Sequence, residues 1–148
     1  MSAYLAELGV SCALGTGQAE VREGLFGAAP SGVKTSSFYS AILPLALGHV
    51  AAELPSMADA AVEFRSRTNA LLRLVLAQLQ PAVAAAISRH GPARVGVVIG
   101  TSTSGIAEAE LAIDAKERTG AFTPGYHYTP QELGSPGRFL AATLGTRG

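Results

Sequence analysis

The sequence predicts an α/β fold, in which helices pack against a buried sheet. Residues 94–99 read R-V-G-V-V-I, a short β-branched apolar run typical of a strand covered on both faces. A long amphipathic pattern precedes this run, and a glycine-rich turn with a second amphipathic pattern follows it. A helix, a buried strand, a tight turn and a helix in this order indicate packed layers of helix and sheet.

Length, charge and cysteine content bound the class of protein. The chain has 148 residues, close to one domain at about 150 residues per domain. With 48% hydrophobic and 15% charged residues, intrinsic disorder is excluded. The formal net charge is zero, so no basic surface is expected for nucleic acid. The single Cys12 fits a reducing compartment and residues 1–9 lack a basic secretory leader, so we expect a cytoplasmic protein.

The N-terminal third predicts one clear element. Residues 3–10 form a short apolar run that fits either a strand or a helical turn. Apolar residues at helical spacing predict a helix over 18–26, with Gly27 as a C-terminal residue at positive φ. Residues 28–57 contain proline and glycine too often for long elements, so only short pieces are expected there.

The longest helix is predicted over 68–90. Thr68 or Asn69 is the expected N-cap, Pro81 is expected to kink or split the helix, and Gly91 with the following proline ends it. Polar residues and Pro81 interrupt the apolar run before it reaches about 20 residues, so no membrane span is expected. The apolar stripe consists of Leu72, Val75, Leu76, Leu79, Val83 and Ile87.

The glycine-rich turn G-T-S-T-S-G at 100–105 opens a helix that Gly120 closes. Ile106, Ala109, Ala112 and Ile113 mark the apolar face of this helix, and its other face carries an ion pair of Asp114 with Arg118. Backbone donors and hydroxyls at a helix start can bind a phosphate. The turn departs from the phosphate-binding loop at the lysine position, however, so a close-packed turn with a serine N-cap is the alternative.

The C-terminal part is predicted to be an aromatic loop and a short helix. Residues 120–137 are rich in proline and glycine, and Tyr126, His127 and Tyr128 lie together within them. A last helix is predicted over 138–144.

The residues themselves predict no complete catalytic or metal site. His49, His90 and His127 do not have metal-ligand spacing, so neither a metal nor another cofactor is expected. His49 is expected at the surface and His90 at a helix end, where it offsets the helix dipole. Cys12 has no basic neighbour in sequence that would activate it, so a structural thiol is expected.

Four motifs in order nevertheless resemble the β-ketoacyl-acyl-carrier-protein synthases, condensing enzymes of the thiolase-like fold. They are G-V-S-C-A-L-G at 9–15, L-F-G-A-A-P-S-G at 25–32, R-V-G-V-V-I-G-T-S-T-S-G-I at 94–106 and L-G-T-R-G at 144–148. The resemblance covers nearly the whole chain and implies the layered αβαβα thiolase-like fold. It also implies that residues 1–148 form only the N-terminal part of a ketoacyl-synthase domain. That part ends before the segment carrying the nucleophilic cysteine and the catalytic histidines.

The resemblance further implies a function for the parent protein and inactivity for these residues alone. The parent would condense an acyl thioester with malonyl-acyl-carrier-protein as a homodimer, in fatty-acid, aryl polyene or polyketide biosynthesis. Acyl carrier protein would be its partner. No catalytic residue is assigned in this chain, because neither Cys12 nor any histidine matches a catalytic position. Thr103 matches a residue that lines the acyl pocket, and Tyr126 with His127 matches aromatic residues that reach the partner subunit's pocket.

Two alternatives stay open at this point. The chain could belong to a non-catalytic partner subunit of the chain-length-factor type, which pairs with an active synthase. It could also be a free-standing α/β domain whose hydroxyl-rich turn binds an anion. On any of these interpretations, the apolar run at 95–99 predicts self-association or packing against another molecule.

Overall fold

The computed structural model describes residues 3–28 and 31–147, and it divides into two compact units. The N-terminal unit comprises the described part of Met1–Leu54 with Leu74–Gln80, and the C-terminal unit comprises Pro55–Arg73 with the described part of Pro81–Gly148. Ala29, Pro30 and Gly148, which belong to two of the sequence motifs, lie outside the described residues. The strands are β1 (Ser11–Cys12), β2 (Gly15–Thr16), β3 (Val33–Ser36) and β4 (Leu45–Gly48), and the helices are α1 (Gln18–Phe26), α2 (Arg67–His90), α3 (Ile106–Thr119) and α4 (Ser135–Leu144).

Two small antiparallel hairpins and α1 make up most of the N-terminal unit. Ser11 pairs with Thr16 in the first hairpin, and Val33 pairs with Gly48 in the second. Residues 3–10 form neither of the two structures that their apolar pattern allowed.

Helix α1 has the bounds that the sequence predicts, but the reason for its C-terminal glycine differs. Gly27 has a φ of −91°, so the expected positive φ is wrong. Its N–H donates to the Glu23 carbonyl at 2.7 Å, and a β-carbon at Gly27 would lie 2.5 Å from that oxygen. The close approach of the chain to the preceding turn therefore favours glycine here.

Helix α2 begins one residue before the predicted start. Ser66, and neither Thr68 nor Asn69, is the N-cap, and its Oγ accepts the Asn69 N–H at 3.2 Å. The helix continues through Pro81, so it is not split, because proline removes a single backbone donor from a helix of 24 residues. Helix α2 is long and apolar enough to cross a membrane. Length and composition are weak evidence for a membrane span, because the core helix of a globular protein also satisfies both.

The C-terminal unit holds a hydrophobic core. Only Ala109 and Ala112 of the predicted α3 face are buried, and Ile106 and Ile113 remain about half exposed. Helix α4 begins three residues earlier than predicted, since Pro136 fits the first turn of a helix. The buried hydrophobic side chains of this unit are Ala70, Ala109, Ala112, Phe139 and Leu140.

The predicted buried strand at 94–99 is wrong for the residues that the structure describes. Pro92–Arg94 forms a 3-10 turn, and residues 95–100 lie in no β-ladder. Val98 is 95% exposed instead of covered. A strand requires a neighbouring backbone, and no described segment pairs with this one. Helix and sheet are both present as predicted, and the described strands form two separate antiparallel hairpins.

Candidate functional site

A cleft of about 320 Å³ in the C-terminal unit contains two of the three predicted site residues. Tyr126 and His127 line it, and Thr103 does not. Its wall combines an apolar and aromatic surface with one cation and one carboxylate, a composition typical of binding sites for small molecules. The lining residues are Val62, Arg65, Glu108, Thr123, Pro124, Gly125, Tyr126, His127 and Pro130.

A tight turn shapes the aromatic side of the cleft. The Tyr126 N–H donates to the Thr123 carbonyl at 3.0 Å, and Pro124 and Gly125 occupy the two central positions. Gly125 has a φ of 80°, as the third residue of a type II turn requires, and proline is common just before it. The sequence P-G thus fixes the direction in which the chain presents Tyr126.

Tyr126 is held on its ring face and at its hydroxyl. Its ring stacks on Phe122 with centroids 4.4 Å apart and planes 16° apart. The Lys116 ammonium lies 4.4 Å from the centre of the Phe122 ring, so a cation supports the stack. The Gln131 amide donates to the Tyr126 hydroxyl at 2.7 Å, which leaves the hydroxyl proton free to donate to a ligand.

His127 is exposed and oriented by one backbone bond. Its Nδ1 accepts the Thr129 N–H at 3.2 Å. A neutral imidazole that accepts at Nδ1 carries its proton on Nε2, so Nε2 is the atom left to donate to a ligand.

The two charged residues of the cleft were not predicted as site residues. Arg65 donates through Nε to the Ala60 carbonyl at 2.9 Å and through Nη2 to the Ala58 carbonyl at 2.8 Å. Glu108, in the first turn of α3, accepts the Arg67 N–H at 2.6 Å. No motif marks either residue in the sequence, because the fold brings them to the cleft from separate segments.

Thr103 lies in the glycine-rich turn, which is closed by its own hydroxyls and a tight glycine contact. The Thr101 hydroxyl donates to the Thr103 carbonyl at 2.6 Å, and Thr103 is exposed. Gly105, at a φ of 60°, is the N-cap of α3, so the expected serine N-cap is wrong. A β-carbon at Gly105 would lie 2.6 Å from the Pro130 carbonyl, which supports a close-packed turn over a phosphate loop.

The remaining candidate residues have structural surroundings. Cys12 is half-buried, and its Sγ accepts the Leu14 N–H at 3.5 Å within the first hairpin. His49 is exposed as predicted, and His90 is in the last turn of α2. Within residues 3–28 and 31–147, no group of three or more potential metal ligands is found. The cleft offers hydrogen-bond donors, a carboxylate and an aromatic surface, groups that can bind a ligand with both polar and apolar parts.

Comparison with known proteins gives an informative likeness to a solved structure. No protein-family model matches the chain, and no curated protein matches it. The chain is similar to a solved structure described as a ketosynthase (ApeO) in complex with its chain length factor (ApeC) from Xenorhabdus doucetiae, with 35% sequence identity and a TM-score of 0.81. The likeness covers 95% of this chain and 36% of that chain. It supports a relation to the thiolase-like, ketosynthase-related proteins.

Proposed function

We propose that this chain forms the N-terminal part of a ketosynthase-type condensing enzyme, a 3-oxoacyl-acyl-carrier-protein synthase. The observation that carries the proposal is the 35% identity over 95% of the chain to a protein of the ketosynthase complex. The parent enzyme would join an acyl thioester to malonyl-acyl-carrier-protein with loss of carbon dioxide. It would work as a cytoplasmic homodimer in fatty-acid, aryl polyene or polyketide biosynthesis.

In this proposal the aromatic turn contributes a substrate-binding surface. Tyr126 presents a ring fixed by stacking on Phe122, and His127 presents a free Nε2 beside it. A rigid ring and a directed donor suit contact with an acyl thioester, which combines an apolar chain with polar acceptor atoms. Thr103 belongs to the proposal on its sequence match alone, since it lies outside the cleft.

The nucleophile of the proposed reaction is not assigned to Cys12. A thiolate nucleophile needs a lowered pKa, from a neighbouring cation, a histidine or a helix N-terminus. The hydrogen bond recorded at the Cys12 sulfur comes from the Leu14 backbone of its own hairpin, which provides no base. We therefore expect the 148-residue chain to bind an acyl thioester without catalysing the condensation.

A second candidate function is that of a chain-length-factor-like partner, which pairs with an active synthase. The matched complex contains both a ketosynthase and a chain length factor, and this observation favours both candidates alike.

Reconstitution separates the two candidates. The native protein that contains these residues is incubated with acyl- and malonyl-acyl-carrier-protein, and the 3-oxoacyl product is measured by mass spectrometry. Product from the protein alone identifies a synthase, whereas product only after addition of a co-purifying ketosynthase identifies a partner subunit. The absence of product under both conditions would contradict both proposals.

The role of Thr103 is tested in the same native protein. Thr103→Phe places a bulky ring where the resemblance puts the wall of the acyl pocket, so we expect shorter acyl chains in the product. Ser102→Phe, at an exposed position of the same turn, is the matched control. An unchanged product distribution in Thr103→Phe would remove Thr103 from the site.

A further inference from the structure

The loop that joins β3 to β4, residues 37–44, presents large apolar side chains to solvent, and we call it the apolar tip. Seven of its eight residues are exposed, and Ser40 is half-buried. Soluble proteins usually scatter exposed hydrophobic side chains singly, so a group of four within six residues marks an interaction surface. The four large hydrophobic side chains, each between 64% and 97% exposed, are Phe38, Tyr39, Ile42 and Leu43.

Serine hydroxyls and an aromatic pair fix the conformation of the apolar tip. The Ser36 Oγ accepts the Phe38 N–H at 3.2 Å. The Ser40 Oγ accepts the Leu43 N–H at 3.0 Å. The Phe38 and Tyr39 rings lie edge-on, with centroids 4.9 Å apart. Two backbone donors of the loop are thus satisfied within the hairpin, which lowers the cost of moving the loop out of water.

Charge is absent from the apolar tip and is positive next to it. Residues 35–52 contain no aspartate, glutamate, lysine or arginine. Lys34 is exposed on β3, three residues before the tip, a distance of about 10 Å at roughly 3.4 Å per residue. Lys34 makes no salt bridge within residues 3–28 and 31–147. An apolar end followed by a cation at this distance complements a phospholipid surface, in which hydrocarbon lies beneath a layer of phosphates.

We propose that the apolar tip inserts into the interfacial region of a phospholipid bilayer, with Lys34 at the level of the lipid phosphates. Tyrosine is enriched at this boundary, because its ring is apolar and its hydroxyl reaches water. A bilayer accepts a protruding loop without a matched cavity, whereas a protein partner would need a pocket for the tip's side chains. Insertion of one loop attaches the protein reversibly to the membrane surface and requires no helix to cross it.

Vesicle flotation of the native protein that contains these residues tests the proposal. The vesicles consist of palmitoyl-oleoyl-phosphatidylcholine, which carries no net charge, and we expect the protein to float with them. Raising NaCl from about 0.1 M to about 0.5 M should change the bound fraction by less than about twofold, because salt does not screen apolar insertion. Release by salt would overturn the proposal. A protein that does not float would overturn it as well, and would leave a protein partner as the occupant of the tip.

Two serine variants of the native protein form a matched pair. Ile42 and Leu5 are aliphatic residues of the N-terminal unit, and both side chains are almost completely exposed. We expect Ile42→Ser to lower the vesicle partition coefficient by roughly tenfold, because it removes a side chain that insertion would bury. Leu5→Ser should leave the coefficient unchanged. Equal partition coefficients for the two variants would overturn the proposal.

A tryptophan reporter locates the membrane contact within this chain. The 148 residues contain no tryptophan, so Phe38→Trp and Phe26→Trp each introduce a single one, at the apolar tip and on α1. Phosphatidylcholine brominated on its acyl chains should quench the fluorescence of Phe38→Trp by roughly half or more and leave that of Phe26→Trp unchanged. Equal quenching of both variants would overturn the proposal. Quenching of Phe38→Trp without flotation of the native protein would also overturn it, by showing that other parts of the native protein cover the tip.

Discussion

The two units of the molecule are stabilised in different ways. Five hydrophobic side chains of the C-terminal unit are buried. In the described part of the N-terminal unit, Leu76 is the single buried hydrophobic side chain. Ten large hydrophobic side chains in the described part of the N-terminal unit are exposed, including Phe26 at 81% and Ile42 at 97%.

Close backbone approaches hold the N-terminal unit together instead. The Gly32 N–H donates to the Ala13 carbonyl at 2.6 Å, and the Gly32 carbonyl accepts the His49 N–H at 3.0 Å. The Val10 backbone and the Gln78 side-chain amide exchange two further hydrogen bonds. A unit built on such contacts tolerates changes to its exposed hydrophobic side chains and is sensitive to any added carbon at its glycines.

The largest expected effect is on the core of the C-terminal unit. Phe139 is 2% exposed, and its ring centre lies 5.9 Å from that of Phe64. Phe139→Ala should lower the free energy of unfolding by about 3–5 kcal/mol, through lost burial and the cavity that remains. Phe26→Ala, in the N-terminal unit, should change it by less than about 0.5 kcal/mol. Urea unfolding followed by circular dichroism measures both, and equal losses would contradict the comparison.

The next effect tests the glycine contacts of the N-terminal unit. A β-carbon at Gly32 would lie 2.5 Å from the Ala13 carbonyl oxygen and 2.9 Å from that of His49. Gly32→Ala should therefore lower the free energy of unfolding by about 1–3 kcal/mol. Neither the Ala13 nor the His49 backbone can move away without breaking its hydrogen bond to Gly32. Gly137→Ala, inside α4 where a β-carbon meets no atom within 4 Å, should instead stabilise by about 0.5–1 kcal/mol. Hydrogen exchange of β3 and β4 locates the loss, and a neutral Gly32→Ala would show that this approach is not tight.

A smaller effect is expected at the start of α2. Ser66→Ala removes the hydroxyl that accepts the Asn69 N–H, so the free energy of unfolding should fall by about 1 kcal/mol. Ser102→Ala, at an exposed turn position, is the control. If the two alanine variants unfold at the same urea concentration, the hydroxyl of Ser66 does not contribute as a cap.

The smallest expected effect is on the pH dependence of stability. The Arg73 guanidinium, hydrogen-bonded to Asp59 at 2.6 Å, lowers the pKa of that carboxyl below its usual 3.8. A lowered pKa in the folded state gives stability that is present above pH 3.8 and is lost as the pH falls through the folded value. Asp59→Asn should therefore flatten acid unfolding slightly in that range, because the carboxylate is exposed and screened. An acid unfolding curve identical to that of the unmodified chain would show no net contribution from the pair.

Periodicity in the sequence predicts the helices well and the sheet poorly. The bounds of α1 match, and α2 and α3 follow closely, because helices form from local bonds and their caps lie nearby in sequence. The run at 94–99 has the composition of a buried strand, but pairing depends on a partner segment that a local pattern does not contain. The hairpin strands β3 and β4 show no strong alternation of apolar and polar residues, so their sequences do not identify them as strands. The proline and glycine content of residues 28–57 predicts only that the elements there are short.

The residues of the candidate site also differ in how far local sequence predicts them. Tyr126 and His127 are adjacent in an aromatic loop, so local composition was enough to select them. Arg65 and Glu108 reach the cleft from distant segments with no shared motif, and Thr103 matched a motif without reaching the cleft. Contacts between distant segments depend on the tertiary fold, so local patterns in the sequence do not reveal them.

The stack of Tyr126 on Phe122 makes the cleft optically observable. The chain has no tryptophan and four tyrosines, and the other three tyrosine side chains are each more than 60% exposed. A ring fixed against a second aromatic ring absorbs circularly polarised near-ultraviolet light asymmetrically, and Tyr39, whose ring lies edge-on to that of Phe38 with centroids 4.9 Å apart, is a second tyrosine in such a pair. The near-ultraviolet spectrum of a Tyr39→Phe variant should therefore report on the geometry of the cleft without any attached label.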